Sequence, residues 1–383
     1  MIHLIHIVLI FFLVLPAFYY FIFAMAGRTQ SARHDRRKSV STVRSRFCIL
    51  IPAYKSDGFI MQTVRAALNQ DYPSDLFKVL VISDSMDEQT DRMLAAEGAD
   101  VLKVTFENST KAASLNAAAD YLGDDAADYV LILDSDNIVR PDFISRMNEV
   151  LSGRIVAVQG HRCAKNSDTP VALADGMFEE VNNLIFRQGH CALGLSSALV
   201  GSGMAFPYKW FRDNAKEFVT AGEDKEMELK LLKDGIFVEY AGDIDILDEK
   251  TRSVENLQKQ RLRWLRSQYY LIGNALKEFP EVALKAGYAD KLFQWTFPPR
   301  LLVITGLPVM ALLTMFAGSA YMSVYITGSL LMFTAIIFGI PKGLKIKDIL
   351  SIFKKVPRIF KATVYNIFSK KQAKDKFIHT DHQ

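Results

Sequence analysis

Cysteine is scarce in this sequence: Cys48, Cys163 and Cys191 are the only three in 383 residues. The count is odd and no spacing matches a metal-ligand pattern, so they read as reduced, buried or incidental thiols of a reducing compartment. Also missing is any glycine-rich loop after a strand-like run, so neither a dinucleotide fingerprint nor a P-loop is present. A phosphate-bearing ligand would need a metal and basic side chains instead. A large charge of one sign is lacking too. The net charge is +4, and the basic residues gather beside apolar runs. This argues against nucleic acid and for membrane lipids with anionic head groups as partners.

Charge is absent from two long stretches. Residues 4–26 carry none apart from a proton that His6 can take, and they suffice to span a ~30 Å hydrocarbon core. A cleaved signal peptide would place basic residues ahead of a shorter apolar core. Here they follow, in "GRTQSARHDRRKSV", so the reading is a retained anchor. Residues 301–340 are also uncharged. They exceed one span and fit two, with Gly318-Ser319 as the turn, Pro298-Pro299 as the start and "PKGLKIK" as the end. Trp295 reads as an interface anchor. Basic flanks at 28–46, Arg300 and 342–355 place these ends in the cytosol by the positive-inside rule. The expectation is an integral protein of the cell's inner or plasma membrane, N-terminus outside, middle and C-terminus cytosolic. Residues 343–369 mix Ile, Leu and Phe with lysines at helical spacing. They predict a helix on the membrane surface, broken near Pro357, with a solvated tail as the alternative.

Between the apolar ends the pattern alternates. "FCILIP", "KVLVIS", "DVLKVTF", "YVLILD" and "IVAVQG" read as strands, and "GFIMQTVRAALNQ" and "TKAASLNAAADYL" as helices. That predicts an α/β fold with a mainly parallel sheet covered by helices. Ligands of such sheets sit beyond the carboxyl ends of the strands. Those ends carry Pro52-Ala53-Tyr54-Lys55, Asp84-Ser85 and Asp134-Ser135-Asp136-Asn137. An extended backbone would point Asp134 and Asp136 to one side, where they could hold Mg²⁺ or Mn²⁺ against phosphate oxygens. The same pair is also ordinary turn chemistry.

Further along, "TAGEDKEMELKLLKDG" puts Glu223-Asp224 at a helix start, where acidic groups also complement the helix dipole. "QKQRLRWLRSQ" presents Gln260, Arg261, Arg263 and Trp264. On a helix Gln260 shares a face with Arg263 and Trp264, and Arg261 lies about 100° round. A basic amphipathic membrane helix would carry the same residues. Gly201-Ser202-Gly203 permits close backbone approach, or simply a turn. His161 and His190 lack partners at ligand spacing and read as polar loop residues.

Asp84, the Asp-x-Asp pair, Glu223-Asp224 and Gln-Arg-x-Arg-Trp, in that order on an α/β pattern, resemble the family-2 inverting glycosyltransferases. The likeness is greatest to their membrane-embedded branch, with the cellulose, hyaluronan and poly-N-acetylglucosamine synthases and the ceramide glucosyltransferases. It covers residues 47 to about 270. It implies a GT-A (Rossmann-like) catalytic domain over 47–250, between an anchor (1–27) with a basic linker (28–46) and helices bearing the Gln-Arg motif (251–297). A transmembrane hairpin (298–341) and a basic amphipathic tail (342–383) would follow. The implied donor is a nucleotide-sugar, most often a UDP-sugar. Pro52, Ala53 and Tyr54 would border the base, and Asp84 would hydrogen-bond it. Lys111 of "KAASLN" would reach the nucleotide or its phosphates. Asp136 would be the main metal ligand, with Asp134 nearer the ribose or sugar. Asp224, with Glu223 beside it, would be the catalytic base. Gln260, Arg261, Arg263 and Trp264 would close over diphosphate and acceptor, and Gly201, Ser202 and Gly203 would line the acceptor site. "PAYKSDG" departs from relatives that carry an acidic residue after Pro-x-x-Asn, and Asp57 is the expected substitute. The implied reaction extends a polysaccharide or glycan acceptor at the cytosolic face, with an export or assembly partner. The alternative is a single transfer to a lipid such as ceramide or a polyprenyl phosphate.

Overall fold

In the computed structural model, residues 1–30, 43–151, 157–282, 287–341 and 343–368 are described. The chain enters through α1 (Ile2–Thr29), a helix long and apolar enough to cross a membrane. The apolar runs then build one eight-stranded sheet in the order β3-β2-β1-β4-β7-β6-β8-β5. β1 (Phe47–Tyr54), β2 (Phe77–Asp84), β3 (Asp100–Val104) and β4 (Tyr129–Ile132) are mutually parallel, as expected. Consecutive residues Cys48 to Ile51 are all fully buried, which is why these strands read as unbroken apolar runs. On one face Ile49, Ile51, Val79 and Val81 pack against Ile60 and Val64 of α2 (Ile60–Leu68), Leu94 of α3 (Glu88–Glu97) and, beyond α4 (Lys111–Leu122) in sequence, Phe143 and Met147 of α5 (Phe143–Leu151). On the other, Leu50, Leu80 and Ile82 meet Leu115 and Ala118 of α4.

The second half of the sheet departs from the parallel pattern. β5 (Ile138–Val139) pairs antiparallel with β8 (Val238–Asp248), and β7 (Met204–Pro207) runs antiparallel between β4 and β6 (Ala157–Ala164). Ile155 and Val156, the expected start of β6, lie outside the described residues. Helices α6 (Pro170–Asn182), α7 (Glu223–Lys233) and α8 (Val254–Val282) then bridge to the apolar end.

That end is a bundle. After α9 (Tyr288–Trp295) the chain bends by 62° into α10 (Arg300–Phe316), turns at Gly318 in a left-handed conformation, and returns as α11 (Met322–Gly339). α11 is long and apolar enough to cross a membrane on its own, while α10 qualifies only together with α9. Ala17, Tyr20, Val303, Leu307, Tyr325 and Met332 share one core with Val181 and Ile185, so the bundle is docked on the α/β unit. The approach is close: a Cβ at Gly189 would stand 2.2 Å from the carbonyl oxygen of Phe23 on α1. Trp295 is not an exposed anchor. It is buried against Leu229, Leu232 and Leu271.

The tail helix α12 (Ile346–Phe368) runs unbroken through Pro357, contrary to the expected break. It is held along α8, where Arg358 pairs with Glu255 at 2.5 Å and Asn366 Nδ2 donates to the Gln258 carbonyl at 2.9 Å. This packing compensates for the bond proline cannot donate.

The two histidines are not loop residues. His190 is buried between α1 and α9, with Tyr19 at 2.9 Å and Asp290 at 3.2 Å. His161 lies in β6, donating to Asp245 at 2.7 Å and to Glu180 at 3.0 Å. Burial opposes its charge, but the two carboxylates prevail and push its pKa up to about 9. A raised histidine pKa stabilises the fold fully below its unfolded value, and that contribution is lost as pH rises through the folded one. Between pH 6.5 and 9.5 stability should therefore fall by about 1–2 kcal/mol, discounted for the partly exposed partners. Urea unfolding at the two pH values would show the difference, and His161→Gln should lack it.

Candidate active site

The carboxyl ends of β1, β2 and β4 open into one cavity of about 590 Å³. Pro52, Ala53 and Tyr54 form its β1 wall. Just beyond, Lys55 (φ +49°) and Ser85 (φ +57°) are the only non-glycine residues in the left-handed region among those described. Such strain gathers where backbone must turn sharply beside a ligand. Asp84 is buried; its Oδ1 accepts from the Ser85 hydroxyl at 2.9 Å, and Oδ2 has no hydrogen-bond partner among the described residues. It is an acceptor awaiting a donor, as the N–H of a base would supply. Asp57 does not face the cavity. Its carboxylate accepts from the Asp87 backbone N–H at 2.9 Å.

β4 stops at Ile132, so an extended backbone does not align Asp134 with Asp136. They sit on a turn closed by the Asn137 N–H and the Asp134 carbonyl at 3.1 Å. Ser202 stands behind this turn, accepting from the Asp134 N–H at 3.1 Å and donating to Asn137 Oδ1. Gly203 (φ +66°) lies in the same wall, where a Cβ would meet Ile246 Cδ1 at 2.7 Å. Only Gly201 of the three small residues reaches the cavity. Gly203→Ala should cost about 2 kcal/mol, from strain plus overpacking, seen as a lower urea midpoint.

Carboxylate oxygens of Asp134, Asp136 and Asp248 lie within 4.8 Å of one another. Their charges are handled unequally. Lys111 pairs with Asp134 and donates to the Gly201 carbonyl at 2.6 Å. Against the cost of burial, Arg162 and Lys250, each at 2.8 Å, hold Asp248 well below the usual carboxylate range. Asp136 is pushed up to about 8 by burial, with Asp248 and Asp134 adding repulsion. A buried cluster of oxygen donors in which the carboxylates crowd one another fits a hard divalent cation such as Mg²⁺ or Mn²⁺.

The other side is built by helix ends. Glu223 and Asp224 begin α7. Glu223 is buried, 3.9 Å from Lys111, and burial raises it to about 8 against the pull of Lys111. Asp224 lines the cavity with its side chain 19% exposed, open enough to meet a substrate. From α8, Gln260, Arg261, Arg263 and Trp264 all line the cavity. The two arginines, about 200° apart on the helix, serve different ends. Burial lowers the Arg263 pKa against the attraction of Glu223, Asp134 and Asp224, so it faces the carboxylates. Arg261 reaches Asp175 at 3.3 Å and lies 5.8 Å from the Phe178 ring. Gln260 Oε1 is buried with no hydrogen-bond partner among the described residues, and Trp264 is 42% exposed. The cavity continues to Tyr20, Phe186, Arg300 and Leu301 at the bundle.

The family described as "Glycosyltransferase like family 2" matches residues 45–267, from the start of β1 through the Gln-Arg motif. The chain is a family-2 glycosyltransferase. Its sequence is 27% identical over 242 residues to an N-acetylglucosaminyltransferase of Rhizobium meliloti (strain 1021), covering 58% of this glycosyltransferase and 55% of that protein. A second N-acetylglucosaminyltransferase, from Rhizobium leguminosarum bv. viciae, is 23% identical over 62% of this chain and 61% of its own. The glycosyltransferase thus spans little more than half the length of these curated relatives. In fold it is similar to the mannosyltransferase PcManGT from Pyrobaculum calidifontis, solved in complex with GDP-Man and Mn2+. That likeness has a TM-score of 0.54 at 18% identity, over 92% of this chain and all of the other. The α/β fold with GT-A likeness expected from the motif order is therefore present.

Sequence reading did not find Asp248, Arg162, Lys250 or Arg300 as site residues. Asp248 and Arg162 are 86 residues apart and meet only because β6 and β8 pair. The one local signal is the half-buried alternation of "IDILD", which places Asp248 at a strand end.

Proposed function

We propose that this glycosyltransferase moves a sugar with inversion from a UDP-sugar to an acceptor held at the membrane, on the cytosolic face. The observation that carries the reading is the single cavity that joins the carboxylate turn, Asp224 and the apolar bundle. Pro52, Ala53, Tyr54 and Asp84 would take the base, and Lys111 the phosphates. Asp136, with Asp134, would hold a divalent cation that neutralises charge growing on the leaving diphosphate. Asp224 takes the acceptor hydroxyl proton as the oxygen bonds to the anomeric carbon and the bond to the diphosphate breaks. Glu223, buried and with its carboxyl pushed up by that burial, would support Asp224 rather than replace it. Arg263 faces the same carboxylates and would stabilise the diphosphate as it leaves.

The names of the relatives make UDP-N-acetylglucosamine the first donor to try. The domain layout supports the reading: a catalytic unit over 47–250 flanked by an anchor, motif-bearing helices and an apolar hairpin. Of the two expected acceptors, the reach of the cavity to Tyr20, Phe186 and Leu301 favours a lipid-held one over the free end of a polymer. UDP release measured in membranes across a panel of UDP-sugars tests the donor. One sugar should stimulate release at least about tenfold over the others, and equal release with all would refute a UDP-sugar site.

A further inference from the structure

At the end of the cavity away from the carboxylate turn, several guanidinium N–H groups lack an acceptor among the described residues. Arg300 opens α10 directly after Pro298-Pro299, and its guanidinium lies 5.6 Å from the rings of both Tyr20 and Phe186. Nη2 donates to Asn182 Oδ1. The Tyr20 hydroxyl and the Glu179 carboxylate also lie close enough to interact with the guanidinium, while Nε and Nη1 are buried without a well-aligned hydrogen bond among the described residues. Arg261 lies close enough for the two guanidiniums to repel; it pairs with Asp175, but its Nε is buried without a hydrogen-bond partner among the described residues. The α6 carboxylates that line this end are already engaged, Asp175 by Arg261, and Glu179 by Arg187 at 3.0 Å and Lys250 at 3.8 Å.

Two adjacent half-buried guanidiniums, with individual buried N–H groups left unmet, favour an anion that joins them. Planar guanidinium forks match phosphate oxygens, and a carboxylate would leave more of their donors unmet. The donor diphosphate is the wrong candidate, because Arg263 and Lys111 face the carboxylate turn where it would sit. The walls around Arg300 belong to the bundle: Tyr20, Phe186, Phe297 and Leu301 are aromatic or aliphatic. Such a pocket suits an anion whose remainder is apolar.

We infer that Arg300 and Arg261 form a second anion site, which binds the phosphate of an amphiphilic, membrane-held acceptor and sets a hydroxyl of that acceptor toward Asp224. This rests on the reading that the acceptor is held at the membrane. A free phosphate offers the same oxygens, so the probes must separate the two sources.

The test uses the full chain in detergent micelles, with farnesyl phosphate, farnesol, inorganic phosphate and UDP with Mn²⁺ as probes. Wild type should bind farnesyl phosphate about 10–100-fold tighter than farnesol, the range for hydrogen bonds to a charged group. Arg300→Gln should abolish that preference and leave UDP–Mn²⁺ affinity within about twofold. If the Gln variant does not fold, Arg300→Lys carries the test, and part of the preference should remain. Three results would overturn the inference alone: Arg300→Gln leaving the preference intact, UDP affinity falling in parallel, or inorganic phosphate binding as tightly as farnesyl phosphate. If wild type binds neither farnesyl compound yet glycosylates a soluble oligosaccharide, the membrane-held acceptor itself is wrong.

Discussion

Asp224→Asn should lower sugar transfer by about 10²–10⁴-fold, the range for removing a general base. Metal-dependent UDP-sugar binding should stay within about twofold, because the lost group acts on the acceptor proton. The geometry makes the two effects separable. Asp224 lines the cavity from the start of α7, whereas the proposed donor end is lined by β1, β2 and the Asp134–Asp136 turn. Glu223→Gln distinguishes it from its neighbour. Glu223 is buried beside Lys111 and less open to a substrate than Asp224, so its amide should retain much more activity than Asn at 224. Transfer surviving Asp224→Asn would remove the base assignment, whatever the family likeness. A scaffold that merely binds nucleotide-sugar would show no transfer in wild type either.

Asp136→Asn is expected to act in the opposite place. It should weaken cation-dependent UDP-sugar binding by about 100-fold or more, since a hard cation depends on its anionic oxygen ligands. Without cation the same change should leave the melting temperature unchanged or raise it. Three carboxylates within 4.8 Å repel one another, and Asp248 already satisfies Arg162 and Lys250. A group that costs stability in the empty fold and is needed with ligand present is the usual mark of a functional site. Calorimetric titration with UDP-N-acetylglucosamine and Mn²⁺, beside thermal melts in EDTA, reads both halves. Unchanged binding would refute the metal role. A large loss of stability would show that Asp136 is a structural partner instead.

Much of the parallel half-sheet was legible because β1, β2 and β4 are buried on both faces and read as continuous apolar runs. β7 was not. It is four residues long and follows a glycine-rich turn, with no room for a period to show. β8 reads as alternating acid and isoleucine, "DIDILD", a half-exposed pattern whose partner is non-local. The Asp-x-Asp pair was legible as a motif, yet its conformation is a turn, which the local residues Ser135 and Asn137 also favour. The helical spacing of Arg261 and Arg263 separates their faces, but which face meets the donor depends on how α8 packs. Arg300 read only as a membrane flank. Its second character appears once Tyr20, Phe186 and Asn182, more than a hundred residues away in sequence, are seen around it. Charge pairing between distant strands and helices leaves no period in a sequence.

The central claim is that one cavity carries a sugar from a nucleotide donor to an acceptor held at the membrane. It is tested most directly by incubating the full chain in membranes with UDP-N-acetyl-[¹⁴C]glucosamine and Mn²⁺, then partitioning the label between organic and aqueous phases. Label should enter the organic phase and be lost with EDTA and in Asp224→Asn. Label found only in water-soluble glycan, or organic-phase label indifferent to EDTA and to Asp224, would contradict it.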